Sequence, residues 1–201
     1  SYDVMVIGSG AAGMMAAIVA GRDGKKVLLL EKLGKLGSKL KATGGGRCNL
    51  TNTLDNEEFM ARFGREGRFM TQALQAFDHK ALIAFFDDIG VQTHIPDGFR
   101  VFPTTHNAQT ILTGLIDEMQ RLGVKVECSQ KVTNLLFDED TILGVKTEKS
   151  EFFAQNVVVA TGGLGYPVLG AEGDGYEFSK SVGHKVHDLF PAMMPLLIKE
   201  N

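Results

Sequence analysis

The chain of 201 residues is short of several things, and each shortage removes a class of function. Its two cysteines, Cys48 and Cys128, stand 80 residues apart with no CxxC pair and no Cys/His cluster, so neither a disulfide framework nor a zinc or other metal site is indicated. A reducing, cytoplasmic location is the expectation. No apolar run reaches the length that crosses a bilayer: "VVVA" at 157–160 is typical, and the first residues form a strand-like run in place of a basic leader. Neither export nor a membrane is expected. An excess of charge is missing too, since 21 Lys+Arg against 24 Asp+Glu leave a net −3 with nothing to neutralise a nucleic-acid backbone. Nucleic acid is therefore not expected as a partner, and a small-molecule substrate is. Repeats, linkers and low-complexity tracts are absent, and oligomeric state leaves no signal.

What the chain has in excess is glycine, 24 residues or about 12% where about 7% is usual. Backbone is being brought close to something. Tyr2 to Ile7 reads as a strand, Ala11 to Arg22 as a helix and Lys26 to Glu31, "KVLLLE", as a strand buried on both faces, which together make a βαβ unit. Gly8, Gly10 and Gly13 fit G-x-G-x-x-G: a tight turn, a close approach for a pyrophosphate, and a helix packed on its strand. Free N–H groups at the helix start, around Ala11 and Ala12, then face the anion. Glu31 follows Gly13 by 18 residues, where a carboxylate accepts both ribose hydroxyls. These residues bind NAD and FAD alike. A second small-residue segment, "VVVATGG" at 157–163 with Ala160, Thr161, Gly162 and Gly163, favours the longer cofactor.

From Lys32 to Thr53 periodicity gives way to a basic, glycine-rich loop, longer than compact domains carry without a use. Its centre is "GGGRCN": Gly44, Gly45 and Gly46 expose backbone N–H groups, and Arg47 adds a forked cation suited to phosphate or carboxylate, or else to a surface ion pair. Cys48 reads as a small buried side chain, and Asn49 and Asn52 as local braces of the loop. Helices are expected at Thr71 to Ile89 and Ala108 to Leu122, with a hairpin turning at Asp97-Gly98 between them. Four short strands follow at 124–128, 131–137, 142–147 and 152–160. The histidines are scattered, so no catalytic residue is assigned.

Through "VIGSGAAGMMAA", "TGGGRCNLTN", "GFRVFP", "VVVATGG", "GDGYEFSKSVGH" and "PAMMPL" the chain resembles the aminoacetone-oxidase-like or BaiN-like bacterial flavoproteins, also called NAD(FAD)-utilising dehydrogenases. More distantly, the order of parts is similar to succinate dehydrogenase and fumarate reductase flavoproteins and to the FAD protein of tRNA wobble modification. The resemblance implies an α/β Rossmann-like FAD/NAD(P)-binding domain, a parallel sheet with helices and an antiparallel β-meander. It implies FAD bound extended: adenosine at Glu31 and Lys32, pyrophosphate at Gly8 to Gly13, and the 44–49 loop reaching toward the flavin. Backbone near Val132 would face the adenine, and "GDGY", with Gly173 and Asp174, would close over the cofactor. It further implies an FAD-binding domain over 1–190, completed by a later return segment, and the start of a substrate-side domain at 191–201. The function expected is an FAD-dependent oxidoreductase passing a hydride between flavin and either NAD(P)H or a small organic substrate. The alternatives are an FAD-dependent RNA-modifying protein and an NAD-binding Rossmann protein without flavin.

Overall fold

Strand β1 (Tyr2–Ile7) turns Val4 and Val6 to one side and Met5 and Ile7 to the other, and each pair enters a separate apolar core. Strand β2 (Val27–Leu30) does the same, Val27 and Leu29 joining the first core and Leu28 and Leu30 the second. Strands buried on both faces need a layer on each side, and the computed structural model, which describes residues 1–190, supplies both. The first layer is helical: α1 (Ala11–Arg22) delivers Met14, Ala17 and Ile18, and later helices deliver Phe85, Phe86, Ile111, Leu115 and Met119. The second gathers Val132, Val145, Ala154 and Phe178.

Between β2 and the later strands the chain forms α2 (Ser38–Ala42), β3 (Thr51–Asn52), α3 (Asn56–Ala61), α4 (Thr71–Ala76), α5 (His79–Asp88), β4 (Thr93–His94), β5 (Arg100–Pro103) and α6 (Ala108–Arg121). It continues with β6 (Lys125–Glu127), β7 (Val132–Asp138), β8 (Thr141–Thr147), β9 (Glu151–Val159) and α7 (Asp174–Ser181). One sheet runs β6-β2-β1-β9-β8-β7, and a small one runs β3-β5-β4. β1 lies parallel between β2 and β9, and β6 lies parallel beyond β2. Strand β9 serves two partners: Ala154 to Val159 follow β1 in parallel, whereas Glu151 to Phe153 pair antiparallel with β8. That shared strand joins the meander to the parallel sheet. The fold class is as expected from the sequence.

Three local expectations are corrected. The helix expected over Thr71 to Ile89 is two, because Asp78 adopts extended backbone and its Oδ1 accepts from the Ala81 N–H at 2.9 Å, so a new helix starts there. The 32–53 loop contains the short α2 and, at Thr43–Gly46, a tight turn in which Gly44 and Gly45 are left-handed. Helix α3 was missed altogether, although Asp55 caps it through the Glu58 N–H at 2.8 Å. The hairpin is as expected, with Asp97 Oδ1 accepting from the N–H groups of Phe99 and Arg100. The expected domain start at 191–201 lies outside the described residues. Among the described residues no helix is long and apolar enough to cross a membrane.

One buried charge ties the helical layer together. Glu118 on α6 accepts from Arg121 Nε at 2.7 Å and Arg22 Nε at 2.8 Å, while Arg22 reaches Asp88 on α5 at 2.7 Å. The hydrogen bonds from Arg121, and then those from Arg22, hold the Glu118 carboxyl down at about 2 against the opposing effect of burial. A depressed carboxylate stabilises above its ordinary value of 4.5 and loses that contribution as pH falls toward 2. Glu118→Gln should therefore lower the unfolding free energy by about 1–3 kcal/mol at pH 7. Denaturant titrations of both proteins should show the gap closing between pH 4.5 and about 2.

Candidate functional site

At the carboxyl ends of β1, β2 and β9 lies a cavity of about 360 Å3, walled by the glycine turn, the start of α1, Glu31 and the segments after β9. Open α/β sheets bind ligands at this edge. Gly13 creates the turn's geometry: a Cβ on it would sit 1.9 Å from the Gly8 carbonyl oxygen, so only glycine lets α1 pack there. Gly10 differs. Its backbone is ordinary extended (φ −69°, ψ 179°) and a Cβ on it meets nothing within 4 Å. Gly10 lines the cavity, so its missing side chain leaves room for a ligand. Helix α1 begins without a side-chain cap or an acidic residue in its first turn, which leaves its first N–H groups and the positive end of its dipole to an incoming anion.

Of the residues expected from the sequence, Gly8, Gly10, Ala11, Ala12, Glu31, Lys32, Val132, Ala160, Thr161, Gly162 and Asp174 all line this cavity. Gly13 stands behind it as the packing contact, and Gly163 and Gly173 flank it in the chain. The 44–49 loop is not part of this wall, although Thr43 just before it is. Gly44, Gly45 and Gly46 all have left-handed φ (62°, 66° and 86°), a backbone that favours glycine at each position. Arg47 sits 5.7 Å from the centroid of the Phe102 ring and has no ion pair among the described residues. Cys48 is buried in the helical core, where burial pushes its thiol up and keeps it protonated. Asn52 braces the loop as expected, accepting from the Leu54 N–H at 3.1 Å.

Electrostatics around the cavity are mostly internal. Lys32 Nζ pairs with Asp174 at 2.7 Å and Glu172 at 2.8 Å; burial lowers its pKa, and these two hydrogen bonds outweigh it, so the net shift is upward. Glu31 is likewise engaged. Its Oε2 accepts from the Ser9 N–H at 2.9 Å and the Ser9 hydroxyl at 2.5 Å, and its Oε1 accepts from the Leu33 N–H at 2.8 Å. Sequence reasoning missed Ser9 and also Ser38, since a lone serine in a glycine-rich turn carries no spacing signal. The hydroxyls of Ser38 and Thr161, two residues that line the cavity, are buried without a hydrogen-bond partner among the described residues. Unpaired buried hydroxyls are unfavourable unless a ligand completes them. Together with the open helix start and the space at Gly10, they fit a diphosphate-bearing ligand.

The family model described as the HI0933-like protein Rossmann domain matches residues 2–189. The chain belongs to this family. It is the family that the resemblance implied. The HI0933-like chain is 32% identical to the 3-dehydro-bile acid delta(4,6)-reductase of Clostridium scindens, over 98% of this chain and 47% of that protein. It is 31% identical to the ribosomal RNA dihydrouridine synthase of Escherichia coli, over 98% of this chain and 48% of that one. The chain thus spans about half the length of the curated relatives it matches. In fold it superposes on a flavocytochrome c3 fumarate reductase with a TM-score of 0.66 at 19% identity, covering 92% of this chain and 41% of that one. The exclusion of nucleic acid drawn from net charge does not hold against a ribosomal RNA relative. An average of −3 conceals residues 32–54 of the HI0933-like chain, which carry Lys32, Lys35, Lys39, Lys41 and Arg47 and no acidic residue.

The two glycines of the turn should separate by experiment. Gly10→Val is expected to keep the melting temperature while weakening FAD binding more than about tenfold, because its side chain enters only the cavity. Gly13→Ala is expected to destabilise the fold by about 1–3 kcal/mol, since its methyl group meets backbone. Thermal melts and flavin titrations of both variants check this.

Proposed function

We propose that the chain is the cofactor-binding part of an FAD-dependent reductase, which adds hydride to a carbon–carbon double bond conjugated with a carbonyl. The observation that carries the cofactor reading is the cavity itself: an uncapped helix start, a glycine whose Cβ position is open space, and two lining residues, Ser38 and Thr161, whose buried hydroxyls have no hydrogen-bond partner among the described residues. The α1 N–H groups and the Ser38 and Thr161 hydroxyls would hold the pyrophosphate. Glu31 would take the ribose, and Val132 would lie against the adenine. Gly173 and Asp174 would close this end through the Lys32 pair, and the 44–49 loop would extend toward the flavin. Bound FAD supplies the two-electron chemistry, and the protein positions and polarises it. NAD(P)H is the proposed electron donor.

The substrate class is supported by the relatives' names, a bile acid delta(4,6)-reductase and a dihydrouridine synthase, both of which describe saturation of a ring double bond. A second reading, RNA as the bearer of that double bond, is favoured by Lys35, Lys39, Lys41 and Arg47, cations of the 32–54 stretch that form no ion pair among the described residues.

The protein should show flavin absorption near roughly 370 and 450 nm, and the longer-wavelength band should bleach when NADH or NADPH is added without oxygen. A steroid enone and a uridine-containing RNA, offered in parallel to the reduced protein, should separate the two substrate readings by which one restores the band. Failure to take up FAD at saturating concentration would overturn the proposal.

A further inference from the structure

We infer that Ser9 is a positioning residue that leaves Glu31 a single open acceptor, so that the site reads one ribose hydroxyl of its ligand and not both. The inference rests on the reading of the cavity as the adenosine diphosphate site. Ser9 is 1% exposed and sits inside the glycine turn, between Gly8 and Gly10, which both line the cavity. Its backbone N–H and its hydroxyl both donate to Glu31 Oε2. Its hydroxyl oxygen in turn accepts from the Gly37 N–H at 3.2 Å, at the residue that starts α2. A hydroxyl has one proton, and here it is committed to Glu31, so Ser9 has none left to offer a ligand.

An ionised carboxylate has about four acceptor positions, two on each oxygen. Two donors from Ser9 fill those of Oε2, and the Leu33 N–H fills one on Oε1. One position on Oε1 remains, on a residue that borders the cavity. A carboxylate with both oxygens free would grip the two vicinal hydroxyls of a ribose equally. This one is held by its neighbours and bonds one. Ser9 thereby joins three pieces of the site: the phosphate turn, the ribose acid and, through Gly37, the helix that carries Ser38.

The test is calorimetric titration of the nucleotide-free whole protein with ADP, 2′-deoxy-ADP and 3′-deoxy-ADP. One deoxy analogue should bind about tenfold more weakly than ADP or worse, and the other within about threefold of it. Ser9→Ala, with its melting temperature checked, opens a position on Oε2, and the two analogues should then differ by less than about threefold; Ser9→Thr, which keeps the hydroxyl, should restore the one-sided preference. Equal losses for both analogues in the wild-type protein would overturn the inference and leave the nucleotide reading standing. A one-sided preference that survives in Ser9→Ala would remove Ser9 from the role. If neither ADP nor FAD binds, the inference falls together with the reading beneath it.

Discussion

The contact of Gly13 with the Gly8 carbonyl is the constraint from which the site is built. With no Cβ at Gly13, helix α1 descends onto the end of β1, and a methyl group there would stand 1.9 Å from a backbone oxygen. That close approach aims the helix start at the edge of the sheet, where its unpaired N–H groups and dipole create a place for an anion. The same packing sends Met14, Ala17 and Ile18 into the helical core, so binding geometry and fold stability share one contact.

A second order of support comes from polar groups that satisfy one another. Glu31 is held by Ser9 and Leu33, Lys32 by Asp174 and Glu172, and Glu118 by Arg22 and Arg121. Buried charge persists in a fold when hydrogen bonds compensate it, and each of these groups has partners within the chain. Against that background the unpartnered hydroxyls of Ser38 and Thr161 stand out. Both residues line the cavity.

Charge shows why averages mislead. The whole chain is mildly acidic, yet the stretch from Lys32 to Leu54 holds five cations and no acid. Of these, Lys32 is neutralised by a pair of carboxylates reached across 140 and 142 residues of sequence, whereas Arg47 lies over Phe102 and faces outward. The field at the mouth of the site therefore depends on which cations the fold pairs, and no count of residues reports that.

The βαβ unit, the glycine turn, the hairpin at Asp97-Gly98 and the final strands were legible because each follows from short-range periodicity and turn chemistry. Helix bounds at Ala11–Arg22 and the cavity-lining residues Gly8, Gly10, Ala11, Ala12, Glu31, Ala160, Thr161 and Gly162 were legible for the same reason, since each lies at a strand end or helix start that the sequence marks, whereas Lys32, Val132 and Asp174 came from the family resemblance. The break at Asp78 and the start of α3 at Asp55 were written in the sequence as capping residues, but a continuous apolar pattern at 71–89 outweighed the first and a basic loop hid the second. The sequence by itself determined the turn, because a missing side chain is a property of the residue. The tertiary structure alone decided what Glu31 and Lys32 do with their charge, because Ser9, Leu33, Glu172 and Asp174 meet them only once β2 lies beside β1 and the segment after β9 folds over both. An acid's position can be read along a chain; the number of its lone pairs still open to a ligand depends on neighbours brought there by folding.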